Sequence, residues 1–532
     1  MVNTTNAIET EIQDIREALY RIETGDYGVG TGCHKPIADA NQHPAEAAIQ
    51  VIETHISWVF LAGDYAYKIK KPIKNSFLDY TSLELRKRFC ETELRLNQRF
   101  AKDLYLGVVA IVDDHGQLRI NGTGKPIEYA VKMKRFPANA LLSDRLVQGL
   151  VSLHDVKRLA AHIAGFHQLA AQAEPSTQFG SPPLVYQEAL ENIRDIADSK
   201  IDRLSDMLYS LRHWTETHYT SHQKTFLGRK LGGHIRECHG DLHLSNIVRW
   251  QDELIPFDGI EFCEEFRWID TLSDAAFTAM DFAAHGRMDF CHSFCNAYFE
   301  VTGDYESIPI LNWYLVYRAL VRAKVATIRF AQTDSNALDH AKAEADVETL
   351  VTLAKQLSVA ANNQPCLWIT NGVSGSGKTT GSEKFVQQFG AIRVRADVER
   401  KRLAGLKPAD RSNHDDEGIG MLYSNEMNAR TYQRLAELAE QMIRGGTSVV
   451  VDATFLMKSQ RTLFRNLAYR LKAPYQILAF QADPEVLRQR IVNRMTENKD
   501  ASDADVAVLE SQLQYQERLD ADEWKLATVF KN

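Results

Sequence analysis

The chain has 532 residues, 44% of them apolar and 25% charged, with a formal net charge of −8. That length asks for several compact units at roughly 100–200 residues each, and the composition is that of a globular protein. No run approaches the roughly 18 apolar residues a membrane span needs. A nucleic-acid binder is also disfavoured: residues 363–532 carry 24 Lys/Arg against 22 Asp/Glu, and residues 1–362 carry 38 against 48, so neither part has a basic excess.

Residues 1–45 read as an extension. IETEIQDIREALYRIE has helical spacing, and the following GDYGVGTGCHKPIADANQHP is punctuated by Gly and Pro. A polar, acidic start without an apolar core argues against a secretory leader. Seven cysteines without a CxxC point to reduced thiols and a cytoplasmic protein. Cys291, His292 and Cys295 cluster in sequence, but helical spacing makes them small packing residues rather than a metal set.

Residues 46–136 alternate like strands around one helix. IQVIETHISWVFLAGDYAYKIKK breaks at AGD, TSLELRKRFCETELRLNQRF starts a helix at Ser/Thr, and YLGVVAIVDDHGQLRI and IEYAVKMKRF give further strands. Residues 137–358 are mostly helical, interrupted by CHGDLHLSNIVRW and ELIPFDGIEF, and LNWYLVYRALVRAKVATIRFA is a core helix. Residues 359–366 form a polar linker. From 367 to 532 strands and helices alternate, which implies a parallel α/β sheet.

Two constellations carry chemistry. In HGDLHLSNIV, Asp241 precedes Asn246 by five residues, and Asp258 follows twelve residues later. A carboxylate placed to accept a hydroxyl proton, followed by an amide and a carboxylate as hard oxygen ligands, suits Mg²⁺-assisted phosphoryl transfer. His239 and His243 share the HxxxH spacing of a zinc pair, but Gly240 and flanking strands argue against the helix it needs. AYKIKK puts Lys68 and Lys70 on one strand face with Ala66. Either lysine can hold phosphates. Glu93, at helical spacing from Phe89, Leu96 and Phe100, is preferred over Glu91 as its partner.

This first constellation resembles the aminoglycoside phosphotransferase family, whose loop HGDxxxxN is matched by His239, Gly240, Asp241 and Asn246. The resemblance implies a protein-kinase-like α+β bilobal domain over about residues 50–340. It implies Asp241 as catalytic base, Asn246 and Asp258 as Mg²⁺ ligands, and Lys68 with Glu93 at the ATP phosphates. The glycine-rich loop of protein kinases is replaced here by IETHIS, where Ser57 is the candidate phosphate contact.

The second constellation is CLWITNGVSGSGKTT, a strand, a glycine-rich loop and a helix start. Gly372, Ser374, Gly375, Ser376 and Gly377 wind backbone N–H groups toward phosphate, and Lys378 reaches the β- and γ-phosphates. Thr379, with Thr380 behind it, offers a hydroxyl to Mg²⁺. Asp452, ending the apolar TSVVVDAT, is the second metal-side carboxylate. Asp397 and Arg400 follow a strand, and Arg490 and Arg494 share one helix face. Residues 365–532 resemble small P-loop kinases of the polynucleotide-kinase, zeta-toxin and gluconate-kinase type. That resemblance implies Asp397 and Arg400 at the acceptor hydroxyl and one of the two lid arginines at the transferred phosphate.

Taken in order, the chain resembles bacterial fusions of an aminoglycoside-phosphotransferase-like domain with an ATP-binding P-loop kinase domain of α/β type, its parallel sheet covered by helices on both faces. The implied cofactors are ATP and Mg²⁺, and the implied partners are small-molecule hydroxyl acceptors. The alternatives are a nucleotide sensor and a nucleic-acid-end kinase with one half regulatory.

Overall fold

The computed structural model describes residues 50–75, 78–114, 117–199, 201–332, 338–360, 364–407, 410, 424–497 and 505–531. The helix expected within residues 1–45 lies outside them, as does part of the linker. The chain forms two compact units, one from the described residues up to Leu150 with Glu237–Trp268, the other from Val151–Arg236 with Ile269 onward.

The first unit is built on an antiparallel sheet. Strands β1 (Gln50–Glu53), β2 (Ser57–Ala62), β3 (Tyr65–Lys70), β4 (Tyr105–Asp114), β5 (Gln117–Ile120) and β6 (Lys125–Lys134) lie in the order β1-β2-β3-β6-β4-β5. Side chains alternate along a strand, and the pairing of Trp58 with Ile69 and Phe60 with Tyr67 sends those four to one face. There they bury with Val109, Ile111 and Ala130. The same alternation turns Ala66, Lys68 and Lys70 to the opposite face. Helix α1 (Leu83–Asn97) starts at Ser82, whose hydroxyl accepts from Leu85 N at 3.2 Å. It buries Arg86, Cys90, Glu93, Leu96 and Asn97 along one stripe and packs on β6 and β4. A hairpin, β7 (Ile247–Trp250) and β8 (Glu253–Pro256), follows the HGD loop.

The second unit begins with long helices: α2 (Leu153–Leu169), α3 (Pro182–Ala197), α4 (Ser205–Leu231), α5 (Thr271–Ala284), α6 (Met288–Thr302), α7 (Leu311–Gln332) and α8 (Leu338–Ala360). Helix α5 is buried over Thr271–Ala283. Helix α7, the expected core helix, buries Trp313, Tyr314, Leu315 and Val316. Cys291 and Cys295 are buried in α6, and the His292 Nδ1–H donates to Gln387 O at 2.9 Å. No described helix is long and apolar enough to cross a membrane.

The same unit continues into a parallel sheet. Strands β9 (Leu367–Asn371), β10 (Ile392–Arg395), β11 (Val449–Asp452), β12 (Tyr475–Gln481) and β13 (Ala527–Lys531) lie in the order β10-β11-β9-β12-β13. The central strands are buried nearly throughout, as expected of a sheet with both faces covered. Its helices are α9 (Lys378–Phe389), α10 (Ala396–Leu403), α11 (Asn425–Arg444), α12 (Lys458–Leu471), α13 (Pro484–Glu497) and α14 (Val506–Tyr515).

Helix α9 lies so close to β12 that a Cβ on Gly381 would stand 2.1 Å from the ring of Phe480. That ring is buried and stacks on Phe530 with centroids 4.8 Å apart. Gly381→Ala is therefore expected to overpack this contact and cost about 1–3 kcal/mol. A fall in the urea midpoint of the second unit's transition checks it; an unchanged midpoint would mean that the ring moves freely.

Candidate active sites

In the first unit three separate segments converge on two lysines. Lys68 is 7% exposed and Lys70 fully buried. Lys68 Nζ lies 3.0 Å from Glu93 Oε1 and pairs with Asp258 Oδ1. Lys70 Nζ donates to Glu93 Oε2 at 2.8 Å and also pairs with Glu261 Oε1, which accepts a hydrogen bond from the Tyr80 hydroxyl. Both lysines therefore meet Glu93, but only Lys68 reaches Asp258. Glu91 points away, 3.8 Å from Lys87 on the exposed face. Ser57 is buried opposite Lys70, with no hydrogen-bond partner for its hydroxyl among the described residues, so it is not presented to solvent.

The HGD loop is laced to the segment that carries Asp258. His239 Nε2 donates to Phe257 O at 2.8 Å, Phe257 N donates to Asn246 O at 2.9 Å, and Ile260 N to His239 O at 3.0 Å. Asn246 donates its side-chain N–H groups to Asp241 O at 2.9 Å and Asp241 Oδ2 at 3.1 Å, leaving its amide oxygen as the hard donor. Asp258 adopts φ 62°, rare for a residue with a side chain. Tyr105 OH accepts from Asp258 N at 3.1 Å, and Asn97 Oδ1 accepts from Gly259 N at 2.8 Å. Gly240, at φ 90°, leaves room for Phe266 O, which a Cβ would approach to 2.6 Å. The structure thus brings Lys68, Glu93 and Asp258 into contact and pairs Asp241 with Asn246, the two groups being joined by the bond from Phe257 N to Asn246 O.

Sequence reasoning missed Glu261, Tyr80 and Glu237. Glu237, two residues before His239, receives Arg95 at 2.8 Å, Arg99 at 3.2 Å and Arg267 at 3.2 Å, which fixes where the loop begins. The sequence offered only an acidic residue two positions before the motif.

In the second unit the P-loop follows β9. Gly372, Gly375 and Gly377 have φ of 149°, 80° and 89°, and a Cβ on Gly372 would stand 2.6 Å from Phe480 O. Ser374 N donates to Gln512 Oε1 at 2.8 Å, and Ser376 is buried. Lys378 Nζ donates to Val373 O at 2.8 Å. Thr379 Oγ1 donates to Asp452 Oδ2 at 2.8 Å, the arrangement of a shared metal-side pair. Thr380 lies on the exposed side of α9.

A cavity of about 1400 Å³ runs from this loop to Asp397 and Arg400. Arg400, 8% exposed, donates to Asp397 Oδ1 at 3.1 Å and to Asn428 Oδ1 at 3.1 Å. Arg490 borders the cavity, with Nη1 3.4 Å from Gly375 O. The side chain of Arg494 lies outside the described residues. Asn428 and Gln512 were not foreseen, since each acts through a helix remote in sequence from the motif it touches.

The C-terminal region is a P-loop domain: the family model described as "AAA domain" matches residues 367–519. The uncharacterized protein Rv2004c of Mycobacterium tuberculosis is 30% identical over 469 residues, covering 87% of this chain and 90% of that protein. The chain belongs to the family of that mycobacterial protein. Among solved structures, a choline kinase from Cryptosporidium parvum Iowa II gives a TM-score of 0.37 at 11% identity, covering 58% of this chain and 89% of that one. A sugar kinase from Janibacter sp. HTCC2649 gives 0.23 at 22% identity, covering 31% and 85%.

Burial pushes the Glu93 carboxyl up, but Lys68 and Lys70 pull harder and hold it down at about 2. Burial lowers both lysines and their carboxylate partners raise them, the net direction being upward. A depressed carboxyl contributes stability above its unfolded value of 4.5, lost as pH falls toward about 2. Raised lysines contribute below 10.5 and lose it only at higher pH. The first unit should therefore lose stability between pH 4.5 and 2, and Glu93→Gln should flatten that slope. Urea midpoints at pH 3 and pH 6 for both proteins check this; equal slopes would contradict it.

Proposed function

We propose that the chain is an ATP-dependent phosphotransferase with two nucleotide sites, each moving the γ-phosphoryl of ATP to a hydroxyl of a small molecule. The observation that carries this reading is that Thr379 and Asp452 share a hydrogen bond in a cavity that also contains Asp397 and Arg400. A phosphate cradle and a base for an acceptor in one space are what transfer requires.

The donor sets fit Mg²⁺, since they offer hard oxygens: Asn246 and Asp258 in the first unit, Thr379 and Asp452 in the second. The bound metal would supply charge neutralisation at the phosphates. In the first unit Lys68, oriented by Glu93, would bind phosphate, and Asp241 would take the acceptor proton. In the second, the P-loop N–H groups and Lys378 would bind the phosphates. Asp397 would hold the acceptor proton, Arg400 would keep Asp397 aimed, and Arg490 would face the transferred group.

The test is transfer from γ-labelled ATP to fractionated small metabolites. Asp241→Ala should remove one set of labelled products and Lys378→Ala another, each by about 100-fold or more. Asp397→Asn should keep ATP binding and lose transfer at the second site. Undiminished ATP hydrolysis in Asp397→Asn with no labelled acceptor in any protein would favour a nucleotide sensor instead. If neither Asp241→Ala nor Lys378→Ala changed any labelled species, the reading would be wrong.

A further inference from the structure

Within the second unit, helix α6 lies against the P-loop portion, and its contacts meet at two arginines. Strand β10 is an edge of the parallel sheet, and Asn296 Oδ1 accepts from its Arg393 N at 2.7 Å. One turn on, Glu300 accepts from Arg395 Nη1 at 3.1 Å and lies 3.6 Å from Arg393 Nη2. The Glu300 carbonyl accepts from Arg402 Nη2 at 2.9 Å. Arg393 donates from Nη1 to the Thr379 carbonyl at 2.8 Å and to Glu383 at 3.2 Å, and Lys157 of α2 donates to the same Glu383 at 2.6 Å.

One carboxylate therefore touches both sides of the P-loop site. Through Arg395, which borders the cavity two residues before Asp397, it reaches the acceptor side. Through Arg393 it reaches the first turn of α9, whose Thr379 hydroxyl holds Asp452. The groups are largely out of water: Arg393 is 4% exposed and the Glu300 side chain 19%. Charge-assisted hydrogen bonds in such surroundings fix geometry more firmly than they do in solvent.

We propose that Glu300 is a positioning residue for the P-loop site and that helix α6 is part of that site, so that nucleotide occupancy and the order of α6 are linked. This rests on the reading of the P-loop cavity as an ATP-binding transfer centre. Without the carboxylate, Arg395 loses the contact that sets its direction at the cavity rim two residues before Asp397. Arg393 keeps Glu383 and the Thr379 carbonyl, so the strand and the fold persist. The effect falls on the transfer step more than on nucleotide binding, and the linkage is reciprocal.

The full chain carrying Asp241→Asn, which silences the first site, isolates the second. Hydrogen exchange across α6 is followed with and without Mg–ATP, alongside hydrolysis of ATP with water as acceptor. Mg–ATP is expected to slow exchange in α6, and Lys378→Ala to abolish that slowing. Glu300→Gln should lower kcat about tenfold, leave KM for ATP within about threefold, and remove the ATP-dependent protection. Glu300→Asp, which keeps the charge, should recover part of each. The proposal is overturned if Glu300→Gln matches its parent in kcat, or if α6 ignores Mg–ATP while hydrolysis depends on Lys378. If Lys378→Ala alters neither hydrolysis nor ATP binding, it is the underlying P-loop reading that fails.

Discussion

The ammonium of Lys68 has almost no water around it, and a charge in that position persists only with opposite charge at contact distance. The first unit meets the demand with Glu93 from α1 and Asp258 from the segment after β8, and the equally buried Lys70 of β3 is matched by the same Glu93 and by Glu261. No one of these segments can leave without exposing a buried charge to apolar surroundings. The cluster therefore fixes the helix, the sheet and the Asp258 segment relative to one another, and it holds Asp258 in a left-handed backbone conformation that a free chain would seldom adopt. By formal charge, two lysines face three carboxylates, so the cluster carries one negative charge in excess. That excess is what the proposed uptake of Mg²⁺ with ATP would call for, since fixed charges then stand ready for it.

The P-loop site solves the same electrostatic problem with backbone. Its anion-binding power comes from N–H groups at the start of α9, and Gly372 and Gly375 are needed because neighbouring atoms crowd the positions where their Cβ atoms would stand. Ser374 N is already committed to Gln512, so α14 helps to set the loop's shape. The lysine bonds a loop carbonyl, a weak partner that a phosphate would readily replace. One site thus depends on paired side chains brought from afar, and the other on a local stretch of chain.

That difference decides what the sequence could reveal. The P-loop was legible because strand, loop and helix follow each other within one stretch, and Asp452 because a carboxylate ending an apolar strand has few other uses. In the first unit, strand alternation put Lys68 and Lys70 on one face, and helical spacing turned Glu93 inward and Glu91 out. It left the two lysines undivided, because both do reach Glu93; the distinction lies in Asp258, which spacing alone cannot place. Glu261, Gln512, Asn428 and Glu300 were invisible for one shared reason. Each is an ordinary polar residue on its own helix or loop and acquires its role from a partner distant in sequence.

Glu300 shows why such residues accumulate beside a working site. A parallel sheet must end somewhere, and an uncovered edge strand offers unpaired N–H groups to any other chain. One edge here is β10, which also delivers Asp397. Covering it with helix α6 satisfies Arg393 N through Asn296 and, one turn later, places a carboxylate beside the two arginines that flank Val394. The contact that protects the edge and the contact that orients the strand's end are made by the same turn of α6. A substitution there that merely preserved the fold would still have to keep the carboxylate, because an apolar replacement removes the contact that Glu300 makes with both Arg393 and Arg395. The constraint on α6 therefore comes from the chemistry expected at Asp397 as much as from packing.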